Sequence, residues 1–103
     1  MDYLELIKRE YKVRGLKWPA DADDATDWLL TELAEVKELL LARKGGWVRN
    51  HPGDHPGFSP ELLAEELGDV IRMALVAGIV EGVDPLEAMV DKSAEKMFEV
   101  LDE

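Results

Sequence analysis

Residues 61–80 read ELLAEELGDVIRMALVAGIV, and this stretch decides the fold because it is apolar on nearly every side. Residues spaced three or four apart share one face of an α-helix. One stripe with this spacing consists of Leu62, Glu66, Asp69, Met73, Ala77 and Val80. The stretch therefore predicts a helix that is buried on several sides, including by a partner subunit, and that carries two acids on a core-facing stripe.

The residues around this stretch predict four helices. They are expected over about 3–14, 24–43, 60–80 and from 85 onwards. Ser59 before Pro60 and Asp84 before Pro85 are typical helix starts, and Gly15 is a typical helix end. No segment alternates apolar and polar residues as a strand would. Residues 1–103 are therefore expected to form one all-α domain, a four-helix antiparallel bundle-like subunit.

The charge balance limits the classes of partner. Acids outnumber bases 23 to 12, which gives a formal net charge of −11. Nucleic acids and anionic membranes are bound through Lys and Arg, so neither is expected as a partner. The absence of cysteine excludes thiolate metal sites and disulfides and fits a cytoplasmic location. No secretory signal and no membrane span is expected, since the N-terminus is charged from residue 2 and apolar runs are short.

The predicted second helix repeats the combination of acids and apolar residues. Its core stripe is predicted to be Leu29, Leu33, Val36 and Leu40, and the adjacent stripe is Trp28, Glu32, Glu35 and Leu39. Burial of an unpaired carboxylate is costly, and neighbouring like charges add to the cost. Hard cations such as Mg²⁺, Mn²⁺ and Ca²⁺ prefer oxygen ligands. We therefore expect a metal site between the second and third helices.

Each of these acids, taken singly, also has a possible structural role. Acids in the first turns of a helix interact favourably with its dipole, which would account for Glu61, Glu65 and Glu66. Asp69 could pair with Arg72, one turn further along the same helix. Two pairs of acids on two helices, each pair on a core-side stripe, favour the metal site over these structural roles.

Two motifs carry a resemblance to a known family. The sequence reads ELAE at 32–35 and ELGD at 66–69, and this order on consecutive helices resembles the signature of the MazG-type all-α nucleoside triphosphate pyrophosphohydrolases. The resemblance extends over RGLKWP at 14–19, LLTELAEVKELL at 29–40, LAEELGDVIRMAL at 63–75 and GVDPLEAMVDKSAEKM at 82–97. It departs from the family at Thr31, where relatives often have a glutamate.

The resemblance implies an activity and a set of site residues. It implies that Glu32, Glu35, Glu66 and Asp69 bind Mg²⁺, for which Mn²⁺ could substitute, and that one glutamate orients or deprotonates the attacking water. It implies hydrolysis of a nucleoside triphosphate, ordinary or noncanonical, to the monophosphate and pyrophosphate. It also implies a helical homodimer or a homotetramer built as a dimer of dimers.

The candidates for substrate contact lie outside the two motifs. Relatives usually carry Lys, Asn and Arg on the last helix to bind phosphates, whereas this chain offers Lys92 and Lys96, one turn apart. Trp18 is a candidate for stacking on a base, although a tryptophan in a connector more often packs onto the core. The long Gly- and Pro-containing loop over 45–58 is a candidate lid.

Alternative functions remain open. An acidic helical interaction module without catalytic activity would suit the rows of acids near the C-terminus, and a degenerate relative could bind nucleotide without turnover. Phosphoribosyl-ATP pyrophosphatase shares the fold type, but its relatives usually read DLLYHL after the second motif. This chain reads DVIRMAL at 69–75, which argues against that enzyme.

Overall fold

Helices make up most of the residues that the structure, a computed structural model, describes, which are 2–43 and 57–101. They are α1 (Tyr3–Arg14), α2 (Ala22–Arg43), α3 (Pro60–Glu81) and α4 (Pro85–Leu101). No strand occurs within these two ranges, so the all-α prediction is confirmed for them. Most of the predicted lid over 45–58 lies outside the described residues. Across the described helices, none has the length and apolar character needed to span a membrane.

Local chemistry sets most of the helix ends. The Asp2 carboxylate accepts hydrogen bonds from two backbone N–H groups in the first turn of α1, and Gly15 ends that helix with φ 64°. The Ser59 hydroxyl accepts a first-turn N–H of α3 at 3.1 Å. Asp84 Oδ1 accepts two first-turn N–H groups of α4 at 3.0 and 3.2 Å. The caps predicted at Gly15, Ser59 and Asp84 are confirmed.

The start of α2 differs from the prediction. The helix begins at Ala22 rather than at Asp24, because Asp21 caps it: Asp21 Oδ1 accepts the N–H of Asp24 at 2.8 Å. The side chain of Asp24 instead accepts the N–H of Ala20 at 3.0 Å. Two aspartates three residues apart are both suitable N-caps, so the sequence pattern alone did not distinguish them.

The core takes its buried residues from α1, α2 and α3, and those of α1 and α3 pack into one cluster. Its cluster of buried residues consists of Ile7, Tyr11, Met73, Leu75 and Val76, and Val76 is fully buried. The most extensive contact joins α2 and α3. The N–H of Ala22, at the start of α2, donates to Oε1 of Glu81, at the end of α3, at 3.1 Å. Since the middle parts of the two helices also face each other, α2 and α3 run antiparallel.

The buried face of α2 is rotated relative to the predicted core stripe. Leu33 was expected in the core but is 46 % exposed, whereas Ala25, Val36 and Leu39 are buried. Glu32 lies in line with these buried residues at helical spacing and is half-buried. Leucines occur around much of α2, so the sequence did not fix which side faces α3. This rotation brings Glu32 directly to the interface with α3.

Helix α4 contacts α3 but has no buried residue in the single chain. Gly78 permits its close start, because a Cβ at this position would lie 2.6 Å from Cδ of Pro85. Leu86 packs against the core. The large apolar residues of the rest of the helix remain exposed: Met89, Val90, Met97, Phe98, Val100 and Leu101.

Candidate metal centre

Four carboxylates from α2 and α3 converge at the middle of the helix pair. Glu32, Glu35, Glu66 and Asp69 can each contribute one oxygen so that all four oxygens lie within 4.8 Å of one another. Each helix supplies an i, i+3 pair, and the antiparallel packing brings the two pairs together. Glu32 and Glu66 are half-buried, whereas Glu35 and Asp69 are exposed. The cluster therefore has an inner side toward the core and an outer side toward solvent.

One oxygen of the cluster finds no partner in the part of the chain that the structure describes. Oε2 of Glu66 is buried and has no hydrogen-bond donor among the residues that the structure describes. A buried acceptor without a donor costs about 1–3 kcal/mol, and more when it is charged. A cation bound at this position would satisfy the oxygen and remove that cost. The oxygen-only donor set suits Mg²⁺, Mn²⁺ or Ca²⁺.

Burial and, after it, the neighbouring carboxylates act on two groups of the cluster. Burial, followed by the charges of Glu35 and Asp69, raises the pKa of Glu32 above its ordinary value. Burial, followed by the adjacent carboxyl of Glu66, raises the pKa of Glu35. Both shifts mean that the protein disfavours full ionisation of the cluster by itself. A divalent cation would reverse this preference because it stabilises the ionised form.

The only arginine of α3 is not the partner of these acids. Arg72 donates from Nε and Nη2 to Oε1 of Glu10 on α1, at 3.0 and 2.8 Å. The alternative pairing of Asp69 with Arg72 is therefore wrong. The positive charge of Arg72 does lower the pKa of Glu32, but burial and the neighbouring carboxylates outweigh it. The cluster thus lacks an ion-pair partner within 2–43 and 57–101.

A cleft of about 510 Å³ opens beside the cluster, and Glu32 forms part of its wall. It lies between α1, the connector after α1, the first half of α2 and the middle of α3. Its positively charged lining residues are Arg14, Lys17 and Arg72, and its aromatic lining residues are Tyr11, Trp18 and Trp28. A protein with a net charge of −11 thus has cations and aromatic rings next to its acidic cluster. This combination suits a ligand that has both negative charge and a flat ring.

The two tryptophans of the cleft differ in their packing. Trp18 stacks on Tyr11 with ring centroids 4.0 Å apart and is packed against the core. Its position therefore agrees with core packing, although Trp18 also lines the cleft. Trp28 is 57 % exposed and lies one helical turn before Glu32. The sequence pattern identified Trp28 only as an apolar neighbour of the acids; its i, i+4 relation to Glu32 was the signal that could have marked it as a site residue.

The remaining predicted substrate residues lie away from the cleft. Lys92 and Lys96 are exposed on α4 and do not line the cleft in the described chain. The cations of the cleft come instead from α1, the connector and α3.

Comparisons with protein-family models, with curated proteins and with solved structures find no match to this chain. Only the residues of the site itself therefore indicate which chemistry it performs.

Proposed function

We propose that this protein is a Mg²⁺-dependent nucleoside triphosphate pyrophosphohydrolase of the MazG type. The observation that carries the proposal is the carboxylate cluster between α2 and α3. Four of its oxygens lie within 4.8 Å of one another, and one oxygen of Glu66 is buried with no donor within 2–43 and 57–101. In this proposal Glu32, Glu35, Glu66 and Asp69 hold Mg²⁺, and Mn²⁺ can replace it. The half-burial of Glu32 and Glu66 counts against an acidic interaction module, because such a module needs its carboxylates on open surfaces.

The cleft supports a nucleotide as the substrate. Its cations, Arg14, Lys17 and Arg72, can bind phosphate oxygens, and Trp28 has an exposed ring on which a base can stack. Stacking of a base on an aromatic side chain contributes about 1–3 kcal/mol. Because Glu32 belongs to both the cleft and the cluster, a nucleotide in the cleft would direct its phosphates toward the carboxylates.

The proposed reaction adds one water across the α,β-anhydride bond. The nucleoside monophosphate and pyrophosphate are released, and the proton of the water leaves to solvent through an acceptor group of the site. Bound Mg²⁺ supplies charge neutralisation for the phosphates and lowers the pKa of the attacking water. Glu35 is the glutamate of the cluster that is exposed to solvent, which suits it to orient the water or accept its proton.

Pyrophosphate release is the direct test of this function. The purified protein is incubated with ordinary and noncanonical nucleoside triphosphates, with Mg²⁺ or with EDTA, and both products are quantified. We expect equal amounts of monophosphate and pyrophosphate from one or a few nucleotides, and none with EDTA. Binding of nucleotide without turnover would instead support the degenerate relative. Absence of both binding and turnover would contradict the proposal and favour the acidic interaction module.

The proposed enzyme is a homodimer or homotetramer. Exposed apolar surface on a small protein often marks an interaction site, and one face of α4 exposes large apolar residues near both of its ends, Met89 and Val90 and then Met97, Phe98, Val100 and Leu101. A chain of 103 residues also buries only about two-thirds of its unfolded surface alone, so association would add to its core. A second copy of the same chain is the proposed partner of this face.

Substitution of Met97 by Asp is expected to weaken the assembly. Met97 is 56 % exposed and lies near the centre of the apolar face of α4 by helical spacing, so a charge there would be buried on association. Light scattering coupled to gel filtration should give two or four times 11.6 kDa for the wild type and a smaller mass for the variant. Ala88→Asp adds the same charge on the opposite side of α4 and should keep the wild-type mass. A monomeric wild type would contradict the proposed assembly.

A further inference from the structure

The ability of the cleft cations to bind phosphate depends on what fixes their positions. Arg72 lies on α3 one turn beyond Asp69, is half-buried, and lines the cleft together with Glu32. Arginine binds phosphate through a planar fork of N–H donors, so its orientation decides whether it can do so. A flexible arginine would lose much of its side-chain entropy on binding, whereas a fixed one would not.

The guanidinium of Arg72 is fixed by Glu10, which does not line the cleft, and by Tyr11, which does. Of the five N–H donors of an arginine, two are used by Oε1 of Glu10, at 3.0 and 2.8 Å. The guanidinium also lies over the ring of Tyr11, 5.5 Å from its centroid. Among residues 2–43 and 57–101, no acceptor occupies the other three donors. The group is therefore held in place and still has donors for a ligand.

Glu10 itself does not line the cleft. It lies along a separate groove between α1 and α3, which Arg72 also borders. The second oxygen of Glu10 accepts a hydrogen bond from Nη1 of Arg14 at 2.7 Å, and Arg14 is another cation of the cleft. Although partial burial alone would raise the pKa of Glu10, hydrogen bonds from Arg72 and Arg14 lower it, so the carboxylate is ionised at neutral pH. One carboxylate outside the cleft thus holds two arginines that line the cleft.

We propose that Arg72 is a phosphate-binding residue of the cleft and that Glu10 is the positioning residue that orients it. This inference rests on the proposed function, and it places phosphate binding on α3 rather than on the lysines of α4. Arg72 would bind the phosphates of the triphosphate next to the carboxylate cluster. Glu10 would act only through the arginines, without touching the substrate.

Calorimetric titration with inorganic tripolyphosphate in the presence of Mg²⁺ tests this proposal without turnover of a nucleotide. Loss of a hydrogen bond to a charged group costs about 1.5–3 kcal/mol, so Arg72→Met should weaken binding by roughly 10–100-fold. Glu10→Gln should weaken it by a smaller factor, and this factor should shrink in the Arg72→Met background because the two residues act together. Because Arg72→Met removes a cation whose charge acts on Glu32, the affinity of that variant for Mg²⁺ alone should not decrease.

Two variants on the exposed side of α1 are matched controls. Arg9→Met and Glu5→Gln make the same changes in charge away from the cleft, and both should bind tripolyphosphate as the wild type does. With a nucleotide substrate, Glu10→Gln should raise KM more than it lowers kcat. A merely structural tie between α1 and α3 would lower the thermal midpoint and leave KM unchanged.

The outcomes separate this proposal from the proposed function. If the wild type binds Mg²⁺ and tripolyphosphate but Arg72→Met binds as tightly as Arg9→Met, only the roles of Arg72 and Glu10 are overturned. If the wild type shows no Mg²⁺-dependent binding, both proposals are overturned. Should Arg72→Met fail to fold, Arg72→Gln retains a polar side chain with hydrogen-bond donors but removes the charge, and wild-type affinity in that variant would overturn the proposal.

Discussion

Glu66→Gln is expected to reduce pyrophosphate release by at least about 100-fold, since the loss of groups that only support metal ligands already costs about 10–100-fold. The same change should raise the thermal midpoint of the metal-free protein. Glutamine removes one negative charge from a cluster that disfavours full ionisation, and its amide can donate a hydrogen bond to a neighbouring carboxylate. Steady-state rates with Mg²⁺ and thermal unfolding in EDTA measure the two effects.

A lower rate of pyrophosphate release together with a higher metal-free thermal midpoint distinguishes a metal ligand from a residue that the fold needs. Asp69→Asn should behave in the same way, because Asp69 belongs to the same cluster. Glu65→Gln is the matched control: Glu65 is exposed on the same helix, next to Glu66, and outside the cluster. It should retain activity and the wild-type midpoint. Loss of the fold in Glu66→Gln, together with no effect of metal on the wild type, would show that the cluster is structural.

Mg²⁺ is expected to raise the thermal midpoint, and Mg²⁺ with inorganic tripolyphosphate is expected to raise it further. A ligand that binds only the folded state at 100 times its dissociation constant stabilises that state by about 2.7 kcal/mol. For a domain of this size, about 1 kcal/mol corresponds to roughly 4–8 °C. Saturating conditions should therefore shift the midpoint by roughly 10–20 °C, measured by calorimetry at one fixed protein concentration.

Glu66→Gln also provides the control for this shift. The variant should show a much smaller response to Mg²⁺ while keeping a cooperative transition. K⁺ at equal ionic strength separates specific binding from screening of the net charge of −11. A shift of equal size with K⁺, or an equal shift in the variant, would contradict a specific metal site at the cluster.

The sequence by itself determined the helices and the pairing of acids within each helix. Helix ends depend on residues a few positions apart, so Gly15, Ser59 and Asp84 could be identified without knowledge of the packing. The i, i+3 spacing likewise fixes Glu66 beside Asp69 on α3, whatever packs against that helix. Competition between two equally suitable caps, Asp21 and Asp24, explains the one wrong helix start.

Only the tertiary structure decided how the helices turn toward one another and which distant charges meet. Leucines around much of α2 allowed several rotations, and the contact with α3 selected the one that exposes Leu33 and places Glu32 at the interface. Arg72 and Glu10 are 62 positions apart, so no helical spacing relates them. Local periodicity fixes neighbours within a helix, whereas contacts between helices depend on the packing of whole faces. The acids of the proposed metal site were therefore visible in the sequence, and the cationic wall beside them was not.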